Sequence, residues 1–180
     1  MSVIEEAVAR IEDWKGKKIS IQPLSGGLTN SNFRMVVDET PYFIRVPGES
    51  TDLLAIDRNN EYYNSKAAAE AGVAPPVLYH LAEYDVMVLK FLEGRTMSRE
   101  SLNESGMPTR MAQSIRKLHA GPRFFSDFNM FRLTEYYLKI CSERNIKIPE
   151  GYPERIPLWR ALNKPCPFVL CRRFLVITIC

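Results

Sequence analysis

The chain has 180 residues, with 24 Lys plus Arg against 21 Asp plus Glu, a net charge of +3. That length suits one medium domain, or one small lobe and part of a second, and can bury a real core. So small and scattered a charge is no electrostatic footprint for nucleic acid, and no apolar run approaches the roughly 20 residues that span a bilayer.

The start reads as a short amphipathic helix over residues 3–14, with Val3, Ile4, Ala7, Ile11 and Trp14 on one side. Its acidic opening, Glu5-Glu6, is unlike a signal peptide. The four cysteines, Cys141, Cys166, Cys171 and Cys180, form no CxxC pair and lie far from His80 and His119. That spacing argues against zinc. The expectation is a cytoplasmic protein with free thiols.

Lys18 to Leu24 alternates like a strand, then Ser25-Gly26-Gly27-Leu28-Thr29-Asn30-Ser31 forms a turn-rich stretch. Asn32 to Val37 is the expected returning strand, and Tyr42 to Val46 a third. Residues 53–71 change to helical period, ending in an Ala-rich run with Gly72 as the expected cap. Pro75-Pro76 blocks continuation. Val77–Leu81 and Val86–Phe91 flank Ala82-Glu83-Tyr84-Asp85 as a hairpin, closed by Glu93-Gly94. Beyond it, Pro108–His119 and Phe131–Cys141 are helix candidates around the aromatic loop Phe124–Phe128. From Ile156 the chain runs through Asn163-Lys164-Pro165-Cys166-Pro167 into an apolar tail with no polar cap. As an edge strand, that tail would be an aggregation hazard.

Four features carry chemistry. Adjacent glycines at 26 and 27 let backbone approach an anion, and Thr29, Asn30 and Ser31 add donors. The loop joins two antiparallel strands and lacks the Gly-Lys-Ser/Thr ending of a P-loop, so it reads as a covering loop over phosphates. The same residues also suit a plain hairpin turn. Arg45, in the apolar strand Tyr42-Phe43-Ile44-Arg45-Val46, offers a forked cation for phosphate oxygens, or an outward-facing charge. Glu61 on the next helix could orient that cation, or be a solvated charge paired with Arg58 three residues earlier. Val86 to Gly94 suits a hinge whose backbone reads an adenine edge, or a buried strand and a turn.

Their order makes them specific. Leu24-Ser25-Gly26-Gly27-Leu28-Thr29-Asn30-Ser31-Asn32-Phe33, Ile44-Arg45-Val46-Pro47-Gly48, Ala55-Ile56-Asp57-Arg58 with Glu61, and Ala71-Gly72-Val73-Ala74-Pro75 together resemble the choline/ethanolamine kinase and aminoglycoside phosphotransferase superfamily. Ile115-Arg116-Lys117-Leu118-His119 resembles its helix after the hinge. The bacterial choline kinase branch, with its Arg-Val-Pro-Gly strand end, is the nearest in pattern. The resemblance covers about residues 15–155. It implies an α+β, protein-kinase-like N-terminal lobe, a five-stranded antiparallel sheet plus a helix, and part of a helical C-terminal lobe. It divides the chain into 1–92, the nucleotide-binding lobe, 93–155, the partial helical lobe, and 156–180, an aberrant tail. By the same resemblance Ser25, Gly26, Gly27, Leu28, Thr29, Asn30 and Ser31 would close over ATP phosphates. Arg45 would contact those phosphates with Glu61 orienting it, and the backbones of Lys90 and Leu92 would hold the adenine.

The family's catalytic base and Mg²⁺ ligands come from a His-x-Asp segment, an Asn five residues after the Asp, and a later Asp-x-Glu. None occurs here: His80 precedes Leu81-Ala82, His119 precedes Ala120-Gly121, and no Asp follows Asp127. Pro167-Phe168-Val169-Leu170-Cys171 resembles the entry to that segment but continues as Arg172-Arg173-Phe174. The expectation is a chain truncated or shifted in frame near Leu170, with no catalytic residue and no metal ligand. The family reading is an ATP-dependent kinase acting on the hydroxyl of choline or a related amino-alcohol, inactive as this chain alone. The rival readings are a non-catalytic, regulatory nucleotide-binding module and an unstable fragment.

Overall fold

The computed structural model describes residues 3–26, 29–48, 56–126 and 129–162. The expected helix start at Leu53-Leu54 and the tail from Asn163 onward lie outside them. The chain forms two compact units, one running to Phe125 and one beginning at Ser126.

The first unit is built on an antiparallel sheet of five strands: β1 (Ile19–Leu24), β2 (Asn30–Val37), β3 (Thr40–Pro47), β4 (Val77–Leu81) and β5 (Val86–Lys90). The strand order is β1-β2-β3-β5-β4. Helix α1 (Val3–Ala9) covers one face. There Ile4, Ala7, Val8, Ile11 and Trp14 pack on Met35, Val37, Ile44, Val86 and Val88. These strand residues share a face because side chains alternate with period two.

The single helix expected over residues 3–14 breaks in two. α1 stops at Ala9, Ile11 is extended (φ −84°, ψ 103°), and a 3₁₀ turn holds Glu12–Trp14. Ile11 (4% exposed) and Trp14 (3%) both enter the core. Trp14 packs its ring against Tyr42 and Tyr79, with centroids 4.9 and 5.4 Å away.

The Tyr79 hydroxyl donates to Asp13 Oδ2 at 2.8 Å, tying β4 to that turn. This bond, then burial and the Asp13 charge, hold the Tyr79 phenol above its ordinary value. Its stabilisation is therefore whole below the unfolded phenol's value near pH 10 and is lost as pH rises through the raised one. Tyr79→Phe is expected to cost about 1 kcal/mol at pH 7. It should also flatten the loss of stability above roughly pH 10. Urea melts of both proteins at neutral and alkaline pH check this.

Helix α2 (Arg58–Glu70) has Asp57 as its N-cap, Oδ1 accepting from Asn60 N at 3.1 Å. It ends as expected at Gly72. Val73 N bonds Ala68 O and Gly72 N bonds Ala69 O, and Gly72 takes φ +71°, the Schellman arrangement. The β4–β5 hairpin turns through Ala82–Tyr84, with Asp85 in the left-handed region. β5 ends at Lys90, one residue before the expected Phe91. Helix α3 (Met107–Ala120) follows, and Gly121 at its end lies against Ala71, leaving no room for a Cβ.

In the second unit, α4 (Met130–Glu143) is capped by Asn129, whose Oδ1 accepts from Phe131 N and Arg132 N. Residues 156–162, for which the pattern announced no element, form α5 (Ile156–Leu162). Trp159 meets Phe131 edge-on, with centroids 5.8 Å apart, and Arg160 bonds Glu135. Among the described residues no helix is long and apolar enough to cross a membrane.

Candidate functional site

The sheet face opposite α1 is polar near the glycine turn. Asn32 and Arg45 are directly opposed across β2 and β3, and Asn30 opposes Pro47. Period-two alternation puts Asn30, Asn32 and Arg45 on this one face. α2 brings Glu61 to it.

Arg45 Nη1 donates to Glu61 Oε1 at 2.8 Å. Arg58 Nη1 donates to Glu61 Oε2 at 2.7 Å and to Asn30 Oδ1 at 2.9 Å. Asn30 Nδ2 stands 3.5 Å from Glu61 Oε1, at the outer limit of a hydrogen bond. The side chains are mostly buried: Arg45 is 21% exposed, Glu61 19% and Arg58 14%. One carboxylate thus sits between two guanidinium groups, one oxygen for each.

Two atoms in this cluster are buried with no hydrogen-bond partner among the described residues: Arg45 Nε and Asn32 Oδ1. A buried donor or acceptor left unpaired costs about 1–3 kcal/mol.

Ser25 is exposed, and Gly26 adopts φ +96°, a conformation that favours glycine. Its carbonyl accepts from Asn32 Nδ2 at 3.1 Å. Gly27 and Leu28 lie outside the described residues. Thr29 O accepts from Gly48 N at 3.0 Å, and a Cβ on Gly48 would come within 2.7 Å of that oxygen. This bond carries the β2–β3 ladder past its expected end. Asn30 and Ser31 consequently belong to β2 and not to the loop, and Asn30 is spent on Arg58 and Glu61.

Lys90 and Leu92 are exposed and sit apart from this cluster. Lys90 pairs with Tyr42, three residues along β3 from Arg45. That is about 10 Å at strand rise, on the scale of a nucleoside polyphosphate. The Lys90 amide is already committed to Pro76 O at 3.0 Å, so any base contact from its main chain falls to the carbonyl. Between the two ends, Arg34 opposes Phe43 and lays its guanidinium over the Phe91 ring at 5.2 Å.

The long-range tie from Arg58 to Asn30 was missed in the sequence. Arg58 and Glu61 lie three residues apart, which signals a local helix pair and nothing more.

Residues 21–150 match the sequence profile of the choline/ethanolamine kinase family. Comparison with curated protein sequences returned no match. Among solved structures, a choline/ethanolamine kinase family protein from Mesorhizobium loti is 34% identical with a TM-score of 0.66, covering 87% of this chain and 51% of its own. The choline kinase LicA from Streptococcus pneumoniae is 19% identical with a TM-score of 0.67, covering 91% and 57%. A LicA structure in complex with AMP is 18% identical with a TM-score of 0.66, covering 89% and 54%. The chain thus spans about half the length of these structures, and its five-stranded antiparallel sheet with helices is the α+β, protein-kinase-like arrangement they share. A profile match over most of the chain, on a sheet that juxtaposes the strand arginine and the helix glutamate, places this chain in the choline/ethanolamine kinase family.

Proposed function

We propose that this chain is the ATP-phosphate-binding part of a small-molecule kinase whose acceptor is the hydroxyl of choline or a related amino-alcohol. Residues 1–92 serve as the nucleotide lobe and 93–155 begin the helical lobe. Of the glycine turn, Ser25, Gly26 and Thr29 serve the phosphates, and Lys90 and Leu92 meet the adenine through their backbones. The observation that carries this reading is Arg45. Its Nη1 is fixed by Glu61 while its buried Nε lacks any partner among the described residues. A phosphate oxygen is a fitting acceptor for that N–H. The AMP bound to the LicA neighbour agrees with nucleotide use on this fold.

The described residues do not fit the Mg²⁺ that phosphoryl transfer needs. Among the described residues no three His, Cys, Asp or Glu side chains converge, and both Glu61 oxygens are held by arginines. No transfer step is assigned to this chain. The 180-residue protein is expected to bind ATP without consuming it.

Thermal melting and calorimetry test this directly. ATP should raise the melting temperature, and Arg45→Ala should weaken ATP about tenfold, the loss of one charge-assisted bond. No shift with ATP would overturn the binding. Choline-dependent ADP formation by the pure chain would overturn its assignment as non-catalytic.

A further inference from the structure

We propose that Arg58 is a positioning residue that locks the start of β2 to α2 and so sets where Arg45 presents its guanidinium. The inference rests on the nucleotide reading above and extends it to a residue that makes no phosphate contact itself.

Among the described residues, Arg58 bonds groups from two different parts of the chain. Asn30, 28 residues away, is the first residue of β2 after the glycine turn; Glu61 is on its own helix. A cation serving only its helix would have no reason to reach β2. With Glu61 Oε2 held by Arg58, the carboxylate plane is fixed and Oε1 is aimed at Arg45. A carboxylate held at only one oxygen could rotate about its terminal torsion, which is soft. Asn30 is held by the same nitrogen, so the beginning of β2 and the orienter of Arg45 move together or not at all. Arg suits this role better than Lys, because its planar group is pre-organised for several bonds at once.

The effect should therefore fall on the phosphate end of a nucleotide and spare the base end. Calorimetry on the 180-residue chain would compare ATP and AMP for wild type, Arg58→Gln, Asn30→Ala and the double variant. ATP affinity should fall about tenfold in either single variant, with AMP changed less than about twofold. The double variant should be no worse than one single, the signature of residues acting as a unit. A purely structural role would instead lower the melting temperature and weaken both nucleotides together. If Arg58→Gln fails to fold, Asn30→Ala at the strand end carries the test alone. Wild-type ATP affinity in Arg58→Gln or in Asn30→Ala overturns the positioning role and leaves the nucleotide reading standing. A wild-type chain that binds no ATP overturns both.

Discussion

Ile44→Ala is expected to remove about 3 kcal/mol of folding stability, the middle of the range for a buried Ile cut to Ala. Ile44 is 0% exposed. It lies opposite Phe33 on β2 and Val88 on β5, in the middle strand of the sheet. Its neighbours in the cluster, Met35 and Val88, are also fully buried and sit on paired strands, so they cannot close over the vacated volume without shifting the sheet. Three kcal/mol is a large part of the 5–15 kcal/mol that typically holds a domain together. The next residue gives the contrast. Arg45 points to the other face, so Arg45→Ala should spare most of this core while weakening nucleotide. Urea melts followed by circular dichroism, alongside nucleotide calorimetry, separate the two. Equal loss of stability in both variants would mean the two faces of β3 are not independent.

The sheet was readable because alternation along β1 and the short apolar runs of β3 and β5, bounded by turn residues, are local properties of the chain. The boundaries that moved did so for non-local reasons. Ile11 leaves the helical pattern although residues three apart would share one face of a continuous helix, and both Ile11 and Trp14 are buried against the sheet. Asn30 and Ser31 look like loop residues because they follow two glycines. The Gly48–Thr29 bond, made by a residue 19 positions later, draws them into the ladder. Asp57 was legible in principle as the cap of α2.

The site divides in the same way. Arg45 and Glu61 could be paired only through the order of motifs along the chain, since nothing local joins a strand cation to a helix carboxylate 16 residues on. The Arg58 bond to Asn30 had no signature, because it depends on how α2 lies across the end of β2. The unpartnered Arg45 Nε is likewise invisible until the fold has buried it.

Glu61→Ala should cost about 2 kcal/mol of stability in the absence of any nucleotide. Breaking a fully buried ion pair from one side costs 3–5 kcal/mol, whereas exposed pairs contribute 0–1. Side chains 14–21% exposed fall between these limits. The loss is not only two bonds. Without the carboxylate, Arg45 and Arg58 are left as two like charges in a poorly solvated pocket, where their repulsion is screened less than at the surface. Glu61→Gln keeps one acceptor but removes the charge, so it should cost less than the alanine change, about 1 kcal/mol. The sign of the charge effect can be isolated by adding Arg58→Leu to Glu61→Ala. Removing one of the two stranded cations should restore part of the stability, making the double variant more stable than Glu61→Ala alone. Chemical denaturation of the three variants at low and moderate salt reads this out, with the deficit of Glu61→Ala shrinking as salt rises. A double variant less stable than Glu61→Ala would show that Arg58 is held chiefly by its packing and its bond to Asn30, not by the carboxylate it shares with Arg45.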